Sequence, residues 1–257
     1  MAIRVVIAML FLSIHVQTSA QLLHKKKHEV TLARQRKIAA AIEDSYSHRF
    51  EAFVGGGFMT FRPGQPIAGS GIPQQGVLKS NDEGIWATNT TFYFTPQLGA
   101  TAVVQGQYGE ADIGNNGYGV LRPNISQYSF LGGPEYRFYR TEKTSASVHV
   151  FVGATYGIFD GDDKAIPPAL LGMWSDSIKG TAAIGFDVDH NIYNNLALRF
   201  QPTETFNSFG GKQQYSYGFN AGFVYRFGRQ GENDVHLPSP HLPTLHLPKF
   251  KKDKNQE

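Results

Sequence analysis

From Tyr215 to Phe227 the chain alternates. Tyr215, Tyr217, Phe219, Ala221, Phe223, Tyr225 and Phe227 fall on one side, and Ser216, Gly218, Asn220, Gly222, Val224 and Arg226 on the other. A strand sends successive side chains to opposite faces, so this period predicts a strand with one aromatic face. Seven further runs repeat it: about 49–61 (Phe50, Ala52, Val54, Phe58), 86–95 (Trp86, Phe92, Phe94), 98–108 (Leu98, Ala102, Val104), 127–138 (Tyr128, Phe130, Tyr136, Phe138), 145–158 (Val148, Val150, Val152, Tyr156), 177–188 (Ile178, Ile184, Phe186) and 196–204 (Leu198, Phe200). Each is near the length of about ten residues that a tilted strand needs to cross a bilayer.

The connections alternate as well. Those after the second, fourth and sixth runs are short (Pro96-Gln97, Tyr139 to Thr144, Asp189 to Asn195), and those after the first, third and fifth are long (about 62–85, 109–126 and 159–176). Short turns on one side and long loops on the other predict an all-β fold, an eight-stranded antiparallel up-and-down transmembrane β-barrel over 49–227. An even strand count leaves both barrel ends on the short-turn side, expected to be periplasmic.

The flanks differ. Residues 1–20 read as a secretory signal: Arg4 is the basic n-region, Val5 to Ile14 a short apolar run, and Thr18 and Ala20 the small residues before a cleavage site. Residues 21–48 form a basic segment. Lys25, Lys26 and Lys27 open it, and Leu32, Ala39, Ile42 and Tyr46 recur at helical spacing, predicting an amphipathic helix over about 29–46. Such a helix either lies on a membrane surface or closes the barrel mouth. Residues 228–257 repeat His-Leu-Pro at 236, 241 and 246, followed by a Lys cluster at 249–254. Repeated Pro predicts an extended, disordered periplasmic tail.

Composition narrows the chemistry. The 257 residues contain no Cys, which removes disulfides, thiolate metal sites and Cys nucleophiles. The formal charge of +3 arises from the flanks, so no basic face on the folded part marks nucleic-acid binding. No residue set calls for a cofactor or a metal. The tail histidines are spaced for zinc or nickel, but an extended tail gathers few ligands at once.

If the aromatic faces turn outward, the opposite faces fill the barrel. They carry Glu51, Glu135, Arg137, His149, Lys179, Asp187, Asp189, Arg199 and Arg226. Charges with little water must pair. Hairpin arithmetic sets Asp187 opposite Arg199, Glu135 opposite His149, and Arg226 near Glu51. This lining is either a narrow polar path gated by ion pairs or a filled plug, and eight strands leave room only for side chains.

The alternating strands, the loop rhythm and the closing Tyr225-Arg226-Phe227 resemble the small eight-stranded outer-membrane β-barrel proteins, the group that includes the OmpA transmembrane domain, OmpX and the opacity-type proteins. The resemblance covers about 49–227 and rests on pattern, not on a signature motif. It implies a Gram-negative outer-membrane location, contact with outer-membrane lipid and lipopolysaccharide, and an assembly signal at Tyr225 and Phe227 read by the barrel-insertion machinery. That signal normally ends the chain, whereas here thirty residues follow.

The expected role is a non-enzymatic structural or surface-interaction barrel, with polar loops outside and peptidoglycan or anionic lipid met by the Lys cluster of the tail. Asp160, Asp162, Asp163 and Asp176 flank the third long loop, either bridging cations to lipid phosphates or forming a solvated turn. A lipid-modifying enzyme is the alternative. It lacks an acyl-transfer base, because no His of the barrel falls in a long loop. A soluble lipocalin-like barrel would need a polar outer face, and the face carrying Gly153, Gly180, Gly185 and Gly218 is small and poor in charge.

Overall fold

The computed structural model describes residues 32–64, 81–113, 117–120, 122–160 and 166–229. The expected signal (1–20), the Lys25–Lys27 run and the repeat tail lie outside the described residues. Within them, helix α1 (Leu32–Tyr46) precedes eight strands: β1 (His48–Phe61), β2 (Asn81–Tyr93), β3 (Leu98–Glu110), β4 (Asn124–Arg140), β5 (Thr144–Phe159), β6 (Ser177–Tyr193), β7 (Leu196–Asn207) and β8 (Gln214–Arg229). Each strand pairs with the next, and β8 closes on β1, giving a closed antiparallel barrel. Closure leaves no unpaired edge. Turns of a few residues join β2 to β3, β4 to β5 and β6 to β7 at the end where α1 enters and β8 finishes; the long loops gather at the other end.

The alternation reads out as expected. Tyr215, Phe223 and Tyr225 are 58%, 52% and 51% exposed on the outer wall, while Ser216, Asn220 and Arg226 between them are buried. In a soluble barrel these aromatics would line the interior; here they cover its outside.

The lumen is filled in four layers. Nearest the short turns lies an ionic layer. Above it, Phe53, Ala87, Ala197 and Val224 form one apolar group and Val103, Leu131, Phe151 and Ala183 another. Next comes a polar layer of amides and hydroxyls, including Gln107, Gln127, Ser129, Thr155, Thr181 and Thr205. An apolar lid closes the long-loop end, built from Phe61, Ile125, Phe159, Trp174 and Phe209 with residues of the loops between. The expected interior of charges and small residues is therefore corrected: large apolar side chains occupy two of the four layers.

The lid is stitched across loops. Trp174 Nε1 donates to Arg62 O at 3.0 Å, Trp174 N donates to Pro63 O at 3.0 Å, and Gly64 pairs with Met173. Gly210 has φ +66°, and a Cβ there would stand 2.1 Å from the Trp174 ring. Only Gly adopts that backbone so close to an indole without strain.

Helix α1 falls within the span expected for it, and its last turn reaches the barrel mouth. Leu32 is 74% exposed and Ala39 is exposed, so the apolar stripe does not pack along its length; only Ser45 and Tyr46, in the last turn, are buried.

Candidate functional site

The ionic layer is the densest chemistry among the described residues. Glu51 on β1 is its hub. Its carboxylate accepts from Arg137 Nη2, from Arg226 Nε at 2.7 Å and from Arg199 Nη2 at 2.9 Å. Asp189 accepts from Arg199 Nε at 2.7 Å, from Arg199 Nη2 at 3.0 Å and from Arg226 Nη2 at 3.0 Å. Charge-assisted bonds of this kind are the strong ones, and burial without them would be prohibitive. Glu51, Glu135, Arg137, Asp187, Asp189, Arg199 and Arg226 are all at most 2% exposed.

Glu135 is held differently, by neutral donors at hydrogen-bond distance, with Arg199 Nη2 standing off at 3.9 Å. It accepts from Tyr93 OH at 2.7 Å, Ser147 Oγ at 2.9 Å, Thr101 Oγ1 at 3.0 Å and Thr91 Oγ1 at 3.1 Å. Tyr93 bridges the two halves, since its oxygen also accepts from Arg137 Nη2 at 2.6 Å.

Tyr46 caps this layer from α1. Its ring lies 5.0 Å from the Arg137 guanidinium and 5.1 Å from that of Arg226. Its hydroxyl donates to Thr141 O at 3.1 Å and accepts from Asn191 Nδ2 at 2.9 Å. Cation–π pairs with desolvated guanidiniums contribute up to about 2 kcal/mol each. The β4–β5 turn and the end of β6 thus hold one tyrosine over the mouth, and Asp44 accepts from Asn194 beside it.

Two of the three inferred pairings need correction at the side chains. Arg226 and Glu51 are register partners and do bond. Glu135 and His149 are also register partners, but His149 Nδ1 pairs with Asp187 Oδ2 at 3.2 Å and its ring stacks on Phe151 at 4.4 Å. Arg199 faces Asp189 instead of Asp187, because β6 runs to Tyr193 and the turn centres near Asn194. Asp187 accepts from Gln201 Nε2 at 2.7 Å instead. Lys179 takes no part in the layer. It is half-buried on the inward row near the long-loop end, opposite Thr155.

Tyr46 and Tyr93 were missed by the sequence reading. Tyr93 was legible in principle: it shares the inward parity of Thr91 on β2, between outward Phe92 and Phe94. Tyr46 was placed on a helical stripe, and nothing in that spacing marks a ring between two guanidiniums. Tyr225 and Phe227 lie on the outer wall at the end of β8, where Phe227 stacks on Phe50 at 5.4 Å. Asp162 and Asp163 lie outside the described residues, and Asp176 Oδ1 accepts from Phe159 N at 2.8 Å. Among the described residues no group of three or more His, Asp or Glu is placed to hold a metal ion.

Fold and site together define a closed eight-stranded antiparallel barrel with an ion-paired, filled lumen and an aromatic exterior. No family model and no curated protein matches the chain. Among solved structures it is similar to Neisserial surface protein A (TM-score 0.49, 11% identity, 69% of this chain and 97% of that one). It is also similar to the outer membrane protein OprG from Pseudomonas aeruginosa (TM-score 0.43, 15% identity, 70% and 97%) and to Ail, the attachment invasion locus protein of Yersinia pestis (TM-score 0.39, 15% identity, 69% and 99%). The likeness is one of barrel shape and extends no ligand or activity to this chain.

Proposed function

We propose that the chain is a Gram-negative outer-membrane β-barrel with a non-conducting lumen, acting without catalysis as a structural or surface-interaction protein through its long loops. The outer wall supports the membrane assignment. Exposed Phe130, Val152, Ile178, Phe200 and Phe223 form an apolar belt that water would penalise. Aromatic rows bound it: Trp86, Tyr108 and Tyr128 toward the long loops, linked by hydroxyl contacts of 3.5 and 3.2 Å, and Phe138, Tyr193 and Phe227 toward the short turns. Along β8, Tyr217 and Phe227 are ten residues apart, about 25 Å along the axis at ordinary rise and tilt. No helix among the described residues is long and apolar enough to cross a membrane.

The observation that carries the non-conducting reading is the doubly closed lumen: the ionic layer under Tyr46 at one end and the Phe61, Phe159, Phe209 and Trp174 lid at the other. The positions of the histidines support a non-enzymatic role. His48 and His190 stand at the short-turn rim and His149 is buried among ion pairs, far from an outer-leaflet substrate. The short-turn end then faces the periplasm, where the tail beyond β8 would meet peptidoglycan or anionic lipid, and the outer wall meets lipid and lipopolysaccharide. Tyr225 and Phe227, exposed at the end of the last strand, suit recognition by the insertion machinery. The test is electrical. The full chain folded into planar bilayers is expected to give no stable conductance steps, and reproducible steps would overturn the closed lumen.

A further inference from the structure

The outer wall carries one charge out of place. Glu204 lies on the outward row of β7, between Phe200 and Phe206, and is exposed. Asp82 and Glu110 stand beyond Trp86 and Tyr108 toward the long loops, and Arg140 and His190 stand beyond Phe138 and Val188 toward the short turns. Among the described residues Glu204 is therefore the one charged side chain within the apolar belt. Its register partners are Ile184 on β6 and Tyr217 on β8, 49% and 44% exposed. Neither the Glu204 carboxyl nor the Tyr217 hydroxyl has a hydrogen-bond or ionic partner among the described residues. Trp86, Tyr108 and Tyr128, by contrast, bond one another.

An ionisable group on a lipid-facing wall is costly and rare, and it faces a partner where it persists. Phe206 and Tyr215 form the next outward pair toward the long loops, their rings 5.5 Å apart edge to face, and they flank the carboxyl on the side of the outer headgroups. A donor reaches Glu204 most directly from the side, out of a second wall at the same depth. This wall holds such a donor itself. Adjacent strands are about 4.8 Å apart, so with a tilt of about 40° Glu204 and Tyr217 differ in depth by only about 3 Å. A two-fold axis along the membrane normal between β7 and β8 then sets Glu204 of each copy opposite Tyr217 of the other.

We propose that two copies of this chain associate in the membrane through β7 and β8, each Glu204 carboxyl accepting a hydrogen bond from the Tyr217 hydroxyl of the other copy. An isologous contact forms that bond twice. Apolar walls gain little by leaving lipid for one another, so the two polar contacts hold the pair, with Ile184, Phe206 and Phe219 around them. The tilted strands of the two copies cross at this point, which keeps the contact local. Such a contact is reversible, and at high lipid dilution the copies part and the whole wall meets lipid. The pair rests on the lipid-facing wall proposed above and is independent of the lumen and of what the loops bind.

The test is energy transfer in bilayers. The full chain has no native Cys, so Lys212→Cys, at an exposed position between β7 and β8, takes a donor dye in one batch and an acceptor in another. Both are reconstituted together in zwitterionic phospholipid, and transfer is followed as lipid is added. The wild-type wall should give transfer above the level of random mixing, falling with dilution. Glu204→Leu and Tyr217→Phe should each weaken association about tenfold, since each removes two bonds per dimer. Tyr156→Phe, on β5, should leave it unchanged. Transfer at the random-mixing level in the wild-type wall, or equal transfer in all four chains, would overturn the pair. So would a loss in Glu204→Leu alone, which makes a headgroup or another protein the partner, and so would association that needs added lipopolysaccharide. The gel shift of unheated samples reports barrel formation in each variant. Barrels that form in lipid without transfer refute the pair only, whereas a wild-type chain that forms no barrel in lipid refutes the membrane reading itself.

Discussion

Replacing Glu51 with glutamine removes the one carboxylate shared by three guanidiniums, and the structure ranks what each of them loses. Arg199 keeps Asp189 at 2.7 and 3.0 Å, and Arg226 keeps Asp189 at 3.0 Å. Arg137 keeps only neutral acceptors, Tyr93 OH at 2.6 Å and Pro96 O at 3.4 Å. Removing one partner of a buried pair costs about 3–5 kcal/mol, because the other charge stays buried and uncompensated. Glu51→Gln is therefore expected to cost about that much. Asp189→Asn should cost less, about 1.5–3 kcal/mol, because both of its arginines retain Glu51. The decisive variant is the pair Glu51→Gln with Arg137→Met. Removing the stranded charge recovers part of the loss, so the double variant should fall short of the summed single costs by at least about 1 kcal/mol. The assay is urea unfolding in micelles, with folded and unfolded forms resolved on unheated gels. A Glu51→Gln cost below about 0.5 kcal/mol, or strict additivity of the pair, would refute the hub assignment.

Tyr46→Ala removes two cation–π contacts and two hydrogen bonds of the stopper. It should speed proteolysis within α1 while the barrel band on gels persists, and Tyr46→Phe, which keeps the ring, should lie between. At Gly133 a Cβ would stand 2.1 Å from Val150 O, whereas at Gly180 nothing lies within 4 Å. Gly133→Ala is expected to lower unfolding stability by about 1–3 kcal/mol and Gly180→Ala by less than about 0.5 kcal/mol. Trp174→Ala should loosen the lid and raise hydrogen exchange at Met173 and Phe209 without changing exchange at Arg137, which lies in a separate layer.

The strands were legible because alternation is local. Each outward residue of β8, from Tyr215 to Phe227, announces its face by its position relative to its neighbours, and a register slip of one residue would reverse every face. Side-chain partners are less local. Asp187 and Asp189 have the same parity, so one residue in the centre of the β6–β7 turn decided which meets Arg199. Parity likewise set Glu135 across from His149, but Glu135 bonds Ser147 two residues along that same strand and Tyr93 on β2, while His149 turns to Asp187 on β6. The lid was invisible for a different reason. Leu171, Met173, Trp174 and Phe209 sit in loops, where no period marks which side chain turns inward. Tyr46 stood on a helical stripe whose spacing left a membrane surface and the barrel mouth equally open, while its contacts come from guanidiniums brought together only by closure.

The central claim is that the outer wall of this barrel faces lipid and its interior is closed. The chain has no native Cys, so single cysteines can be placed along β8 from Tyr215 to Phe227 and spin-labelled in bilayers of the full chain. Collision with lipid-soluble oxygen should peak at Tyr217, Phe219, Phe223 and Tyr225 and fall at Ser216, Asn220 and Val224, with no access of a water-soluble relaxer to the inward set. Free access of the water-soluble relaxer to the aromatic positions, or loss of the two-residue period, would contradict it.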